Sequence, residues 1–362
     1  MRLLIATDAW FPQVNGVVRT LSKTTECLRA NGVTVELITP AKYRTFGLPS
    51  YPEIRLAFPN RNSIAADFDG FNPDSVHIAT EGPIGRAVRK HCLRNNLPFT
   101  SSYHTRFPEY VAARLPLPGV KALAYRVMRA FHAPSRCVLA PTQAITDDLT
   151  RHGFTNVKTW TRGVDHARFK PMQADDRKAY PRPVMVHVGR LAVEKNVEDF
   201  LKAKVPGTKL VVGDGPQRAE LERKYPDAVF TGYLFKDDLV RALSSGDVFV
   251  FPSRTDTFGL VMVEAMACGL PVAAYPVPGP VDVVEHAVSG WLDQNLSVAI
   301  TKTQRLPRQA AIARASQFTW EETALQMQDA LVTFERDISA AASQESSDML
   351  INETDTSTGG NR

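Results

Sequence analysis

Residues 247–274, DVFVFPSRTDTFGLVMVEAMACGLPVAA, decide the fold class. Asp247 to Phe251 is a short β-rich apolar run, of the kind buried on both faces of a parallel sheet, and Val272 to Ala274 is a second. Between them a helical stretch beginning near Leu260 stops at Gly269. Strand, helix and strand in succession make one crossover unit, the building block of a parallel sheet covered by helices. The loop from Ser253 to Gly259 then lies at a strand's carboxyl end, where open α/β sheets bind ligands.

Working outward, the same alternation fills the chain. Further strands are predicted at Val184 to Val188, Lys209 to Val212 and Val229 to Thr231. In the first half they are predicted at Arg2 to Ala6, Val33 to Thr39, Ser75 to Ala79, Phe99 to Ser102 and Cys137 to Ala140, with helices near 16–30, 83–95 and 119–132. The class is α/β, with two doubly wound parallel-sheet domains expected at 1–165 and 184–318. The proline-bearing stretch Arg162 to Pro183 interrupts the pattern, and the linker is placed at 166–183. A last helix, with Thr319 as N-cap, is predicted over 319–338 and is expected to pack back toward the first domain. Residues 339–362 lack the apolar content to fold.

With 362 residues, 44% hydrophobic and 22% charged, the chain is ordinary globular material, which excludes collagen-like or disordered classes. No apolar run reaches the roughly 18 residues of a spanning helix, so a soluble, cytoplasmic protein is expected. Cys27, Cys92, Cys137 and Cys268 form no C-x-x-C pair, so neither a disulfide framework nor a zinc site is expected. The net charge of +5 hides an asymmetry: residues 1–175 carry 23 Lys or Arg against 13 Asp or Glu, and the remainder 20 against 25. Between Gly82 and Arg136 ten basic residues meet one acid, Glu109, which points to an anionic surface or ligand.

The chemistry lies in loops at strand ends. Asn15-Gly16-Val17 opens a helix after the first strand, and a glycine there lets a phosphate approach backbone donors. Neither it nor Gly213-Asp214-Gly215-Pro216 completes a G-x-G-x-x-G, since Arg218 stands where the third glycine is needed. No Walker A pattern and no G-x-S-x-G elbow occurs, so dinucleotide oxidoreductases, P-loop enzymes and serine hydrolases are disfavoured. Gly189-Arg190-Leu191-Ala192-Val193-Glu194-Lys195-Asn196 follows a strand and puts two cations where a diphosphate fits. Phe258-Gly259-Leu260 supplies free N–H groups and a positive dipole end. Glu264, inside an otherwise apolar helix, needs a partner such as a sugar hydroxyl.

These motifs, in this order, resemble the retaining family 4 glycosyltransferases of the GT-B fold over nearly the whole folded chain. The most specific element is the acid-x7-acid pair, here Asp256 and Glu264. The resemblance implies two domains facing across a cleft and transfer of a hexose from a nucleoside diphosphate sugar, with its anomeric configuration kept. It places Gly16, Arg190 and Lys195 at the donor diphosphate, Glu264 at the ribose and Asp256 at the donor sugar. Tyr103-His104-Thr105-Arg106 resembles the segment whose histidine borders the reacting sugar. His104, Arg190, Lys195 and Asp256 are thus the catalytic candidates, and Phe258, Gly259 and Leu260 join the donor site. Base contacts are expected near Gly213 and Gly232-Tyr233-Leu234. The family's first acid is usually Glu, so Asp256 leaves sugar preference open. No cofactor or metal is expected. Thr-Asp-Thr-Phe-Gly and Arg162-Gly163-Val164-Asp165 look like the branch that glycosylates diacylglycerol-type lipids or adds mannose.

The acceptor reading comes from the helix after Pro118. Val120, Leu123, Ala124, Val127, Met128 and Phe131 are predicted on one face, and Lys121, Arg126 and Arg129 on the other. Such a helix suits an anionic membrane at the inner face of the cytoplasmic membrane, with a lipid as acceptor. The rival readings are a soluble sugar or oligosaccharide acceptor and a nucleotide-sugar epimerase or hydrolase on the same scaffold. A nucleic-acid partner is not expected, because no stacking or helix-turn-helix signature accompanies the basic run.

Overall fold

The computed structural model describes residues 1–334 apart from 14, 49–50, 116 and 173–179, and two six-stranded parallel sheets organise it. The first holds β1 (Arg2–Ala6), β2 (Thr34–Ile38), β5 (Ser75–Ile78), β6 (Thr100–Ser102), β7 (Val138–Ala140) and β8 (Val157–Thr159), in the order β2-β1-β5-β6-β7-β8. A hairpin of β3 (Thr45–Leu48) and β4 (Tyr51–Ala57) stands apart from it. Its helices are α1 (Gly16–Ala30), α2 (Arg61–Phe71), α3 (Pro83–Arg94), α4 (Phe107–Arg114), α5 (Val120–His132) and α6 (Gln143–Arg151).

The second sheet has the order β11-β10-β9-β12-β13-β14. Its strands are β9 (Val184–Val188), β10 (Thr208–Val212), β11 (Val229–Gly232), β12 (Val248–Phe251), β13 (Val272–Ala274) and β14 (Gly290–Leu292). They alternate with α7 (Val197–Lys202), α8 (Arg218–Lys224), α9 (Lys236–Ser245), α10 (Leu260–Ala267), α11 (Pro280–Val283), α12 (Leu296–Thr303) and α13 (Arg308–Ala315). The α/β, GT-B reading holds. The sequence pattern misses β8 and β14, three-residue strands at the sheet edges, where a side chain has only one neighbouring strand to demand an apolar residue.

Both faces of each sheet are covered, which explains the continuous apolar runs: Val248, Phe249 and Val250 are fully buried. α14 (Trp320–Ala330) crosses back, and its Ala324, Met327 and Ala330 share a core with Leu3, Ile5, Leu139 and Trp160 of the first domain. Trp160 is fully buried and its indole N–H donates to the Thr323 carbonyl at 2.8 Å. Burying one such side chain contributes on the order of 3 kcal/mol.

The helix predicted to run to residue 338 ends at Ala330 instead. Leu331 turns extended, Thr333 pairs antiparallel with Ser75, and the Phe334 N–H reaches the Asp74 carbonyl at 2.9 Å. A β-branched and aromatic ending thus finds backbone partners on the sheet that continued helix would forgo. Residues 335–362, with the predicted tail, lie outside the described residues, as does the middle of the linker predicted at 166–183.

Candidate active site

The loop and helix start that follow β12 meet the first domain. A Cβ placed on Gly16 would stand 3.7 Å from the Leu260 side chain, so the openings of α1 and α10 face each other. Gly259 takes a left-handed conformation (φ 84°), and no side chain caps α10, which leaves its first amides free for an anion. At α1 the expectation needs correction: the Asn15 side chain already accepts from the Val17 and Val18 amides, each at 3.0 Å. Gly16 therefore supplies room more than donors.

Lys195 and Asp256 converge, with Nζ 2.6 Å from Oδ1. Burial opposes charge on both. It is the largest single effect, but the attraction and hydrogen bond between the two, added to Ser253 and His187 at Asp256 and to Tyr110 and Glu194 at Lys195, together outweigh it, so Asp256 is held below the usual carboxylate range and Lys195 above the usual lysine value. The other oxygen, Asp256 Oδ2, is enclosed without a partner. Glu264 shows the same arrangement. Its Oε1 bonds to Arg19 of α1, across the domain boundary, while Oε2 is enclosed and unpartnered. Burial, only partly offset by Arg19, raises the Glu264 carboxyl above its ordinary value.

His104 sits just past β6, and its carbonyl accepts a hydrogen bond from Thr257 Oγ1 at 2.9 Å. The Thr257 carbonyl in turn accepts from Thr142 Oγ1 at 3.3 Å. The loop carrying Asp256 is thus tied to the first domain twice through Thr257, the residue after its acid. Burial foremost, with Arg162, His77 and His132 adding to it, holds the His104 imidazole neutral, well below its ordinary pKa. Its Nε2 is enclosed without a partner.

Arg190 is half-buried at the end of β9 and is already engaged within the fold. The residues expected near the base differ in their packing. Gly213 (φ 135°) is a packing glycine, since a Cβ there would lie 1.9 Å from the Gly189 carbonyl oxygen, a contact that no side chain survives. Leu234 packs against the second domain's core, whereas Tyr233 is exposed and stacks near Phe235, with ring centroids 6.1 Å apart. Tyr233 alone of the three presents an aromatic face to solvent.

Sequence reasoning missed Arg19, Tyr110 and Thr257, which act across the boundary between domains and leave no local pattern. Tyr110 of α4 is a half-buried phenol beside Lys195 and Asp256, with its hydroxyl against Thr255. Burial raises its pKa, so it stays protonated.

The helix α5 corrects a further expectation. Of the predicted apolar face only Met128 is buried. The packed side is Tyr125, Met128 and His132, because the Tyr125 hydroxyl lies between the carboxylates of Glu109 (2.7 Å) and Asp148 (3.0 Å), its one proton shared between them, and its ring stacks on His152 at 3.5 Å. Leu123 and Val127 are left 61% and 50% exposed, and Leu115 and Leu117, just before the helix in the chain, are exposed too. Among the predicted cations, Lys121 pairs with Glu109 at 3.3 Å and Arg129 donates to the His152 carbonyl at 3.3 Å. Arg126 is exposed with no partner among the described residues. No described helix is long and apolar enough to cross a membrane.

Comparison with known proteins agrees with this geometry. Residues 14–168 match the model of Glycosyltransferase Family 4, and residues 182–304 match that of Glycosyl transferases group 1. A GDP-mannose-dependent alpha-mannosyltransferase of Mycobacterium tuberculosis is 32% identical over 317 residues, covering 81% of this chain and 83% of that protein. A GDP-mannose-dependent alpha-(1-6)-phosphatidylinositol dimannoside mannosyltransferase of the same species is 28% identical, covering 84% of each. Among solved structures, HepE of Anabaena in complex with UDP and glucose superposes with a TM-score of 0.68 at 20% identity, over 91% of this chain and 98% of that one, a likeness of fold.

Proposed function

We propose that this chain, which belongs to the family 4 glycosyltransferases and is a hexosyltransferase using a nucleotide-sugar donor, moves its hexose to a hydroxyl of a membrane lipid with the anomeric configuration kept. One observation carries the donor site: His104 Nε2, Asp256 Oδ2 and Glu264 Oε2 are all enclosed and unpartnered. Leaving a buried polar atom unsatisfied costs about 1–3 kcal/mol, which a ligand rich in hydroxyls recovers. In this reading Asp256 and His104 take hydroxyls of the sugar and Glu264 takes the ribose.

The chemical difficulty is the leaving diphosphate, whose charge grows as the glycosidic bond breaks. Arg190, Lys195 and the uncapped start of α10 at Gly259 and Leu260 face that charge with fixed positive potential, a contribution of several kcal/mol. The departing phosphate takes the acceptor's proton, so the reading assigns no side chain as general base, and these cations do the work a metal ion does elsewhere.

The lipid acceptor is supported by α5. Its exposed Leu123 and Val127, the exposed Leu115 and Leu117 just before it in the chain, and Arg126, which has no partner among the described residues, give this segment the composition that anchors helices in anionic interfaces. The segment lies one helix from the donor site, since α5 packs on α4, which carries Glu109 toward α5 and Tyr110 toward Lys195. A lipid head group held at α5 is then within reach of the donor. The mannosyltransferase relatives point to GDP-mannose as the first donor to test.

Incubating the protein with labelled GDP-mannose, UDP-glucose and UDP-galactose, each with extracted membrane lipid, is the direct test. Label in the lipid phase is expected; label released only as free sugar means hydrolysis, and label only on added soluble sugars removes the lipid from the proposal. Binding to anionic vesicles is expected to fall with salt. The double variant Arg126→Ala, Arg129→Ala should weaken it by about 30-fold, from roughly 1 kcal/mol per basic residue. Vesicle binding that ignores both salt and lipid charge speaks against α5 as the anchor.

A further inference from the structure

We propose that Arg162 is a positioning residue for the transfer: it holds His104 in the tautomer that carries the ring proton on Nε2, so the histidine offers the bound sugar a hydrogen-bond donor and no base. The role at the sugar rests on the donor-site reading above; the tautomer does not.

Arg162 is only 3% exposed, yet no carboxylate pairs with it among the described residues. Burying a cation without an anion is costly, and a fold that retains one uses it for something. Burial pushes the guanidinium down to about 9, so it remains charged at neutral pH. Its surroundings compensate in three ways. Nη1 donates to the carbonyls of Trp160 and Thr161, the latter at 2.9 Å. The guanidinium carbon lies 4.2 Å from the centre of the Trp160 ring. Nη2 reaches His104 Nδ1 at 3.3 Å.

This last contact fixes a proton. A guanidinium has five N–H donors and no acceptor, so Nδ1 of His104 must be the acceptor and carries no hydrogen. The charged and titratable groups around the ring are Arg162, His77 of β5 and His132 of α5, all of which disfavour an imidazolium. A neutral ring with a bare Nδ1 has its one proton on Nε2. That N–H is the atom enclosed without an acceptor, on the residue whose carbonyl is pinned by Thr257 next to Asp256. The ring is further held edge-on to Trp160, 5.7 Å between centroids at 66°. Only the planar fork of an arginine spans two carbonyls and Nδ1 together; a lysine ammonium retains charge without that geometry. With its lone pair turned to Arg162, His104 can steady a sugar oxygen but cannot take a proton from the acceptor.

The test is nitrogen NMR of the full-length protein labelled with 15N-histidine. The His104 signals are identified by their loss in His104→Gln. In the wild type the ring should show the Nε2–H tautomer and should not titrate between about pH 5.5 and 7.5, roughly one unit either side of the ordinary histidine value. An Nδ1–H ring, or one that titrates near 6.5, the ordinary value, overturns the proposal with no substitution at Arg162. In Arg162→Gln the tautomers should mix and the ring pKa should rise, since a nearby cation has been removed. Turnover should fall by about 100-fold with donor KM near wild type, and the log kcat profile should gain an acid limb. Arg162→Lys should fail to restore the single tautomer. A folded Arg162→Gln protein with wild-type tautomer and turnover overturns the proposal. Wild-type transfer by His104→Gln sinks the histidine's place at the sugar, while the wild-type spectrum still decides what Arg162 does to the ring.

Discussion

Lys195→Ala is expected to lower kcat/KM for transfer by about 10³-fold while the protein stays folded. Removing one preorganised group that faces developing charge costs about 10² to 10³ in turnover, and Lys195 also holds Asp256 in place through the 2.6 Å bond to Oδ1. The variant leaves Asp256 without its counter-charge in a partly enclosed loop, at about 1–3 kcal/mol of stability at pH 7. The sign of the pH dependence follows from the two shifts. Asp256 is held low, so its contribution is present above the ordinary carboxylate value near 4 and is lost as pH falls through its folded value. Lys195 is held high, so its contribution is present below about 10.4 and is lost as pH rises through its folded value. The difference in Tm between wild type and Lys195→Ala should therefore shrink as the pH is lowered toward 3. Steady-state kinetics and thermal melts at several pH values measure both effects. Turnover within tenfold of wild type would remove Lys195 from the chemistry.

Glu264→Ala should abolish detectable transfer, and Glu264→Gln should weaken nucleotide binding by about 30-fold or more, the equivalent of one lost hydrogen bond to a charged group. The pairing with Arg19 supplies the control. If the carboxylate merely ties the two domains together, Arg19→Ala does the same damage, because it cuts the same bridge. If Glu264 takes the ribose through its unpartnered Oε2, Arg19→Ala retains most of the nucleotide affinity. Titration calorimetry of the three variants with the nucleoside diphosphate separates the two, and equal losses in all three would demote Glu264 to a structural tie. Glu264→Ala also leaves the Arg19 guanidinium without its anion, so its melting temperature must be read beside that of Arg19→Ala.

Much of this was legible in the amino-acid order because the physics is local. Two-sided burial writes itself as Val-Phe-Val-Phe at 248–251, and the strand-to-helix turn demands a residue tolerant of left-handed backbone at Gly259. An acid at position 264 inside an apolar helix is a local contradiction that only a ligand or a distant partner resolves. Where periodicity was ambiguous the sequence misled. On α5 the choice between two apolar faces was made by one phenol, Tyr125, reaching Glu109 and Asp148, and no helical count of hydrophobic residues contains that information. At Gly213 the glycine is required by the Gly189 backbone 24 positions earlier, a packing demand that no local pattern carries.

By itself the sequence determined the α/β class, the two parallel sheets, the family and the positions that carry charge at strand ends, since each depends on neighbours within a turn or a strand. Tertiary structure alone decided which charges meet: Lys195 with Asp256, Arg19 with Glu264, Arg162 with His104. The reason is that electrostatic partnership depends on distance through space and on exclusion of water. Both are set only when residues 58 to 245 positions apart along the chain are folded together, within the first domain for Arg162 and His104, within the second for Lys195 and Asp256, and across the boundary for Arg19 and Glu264.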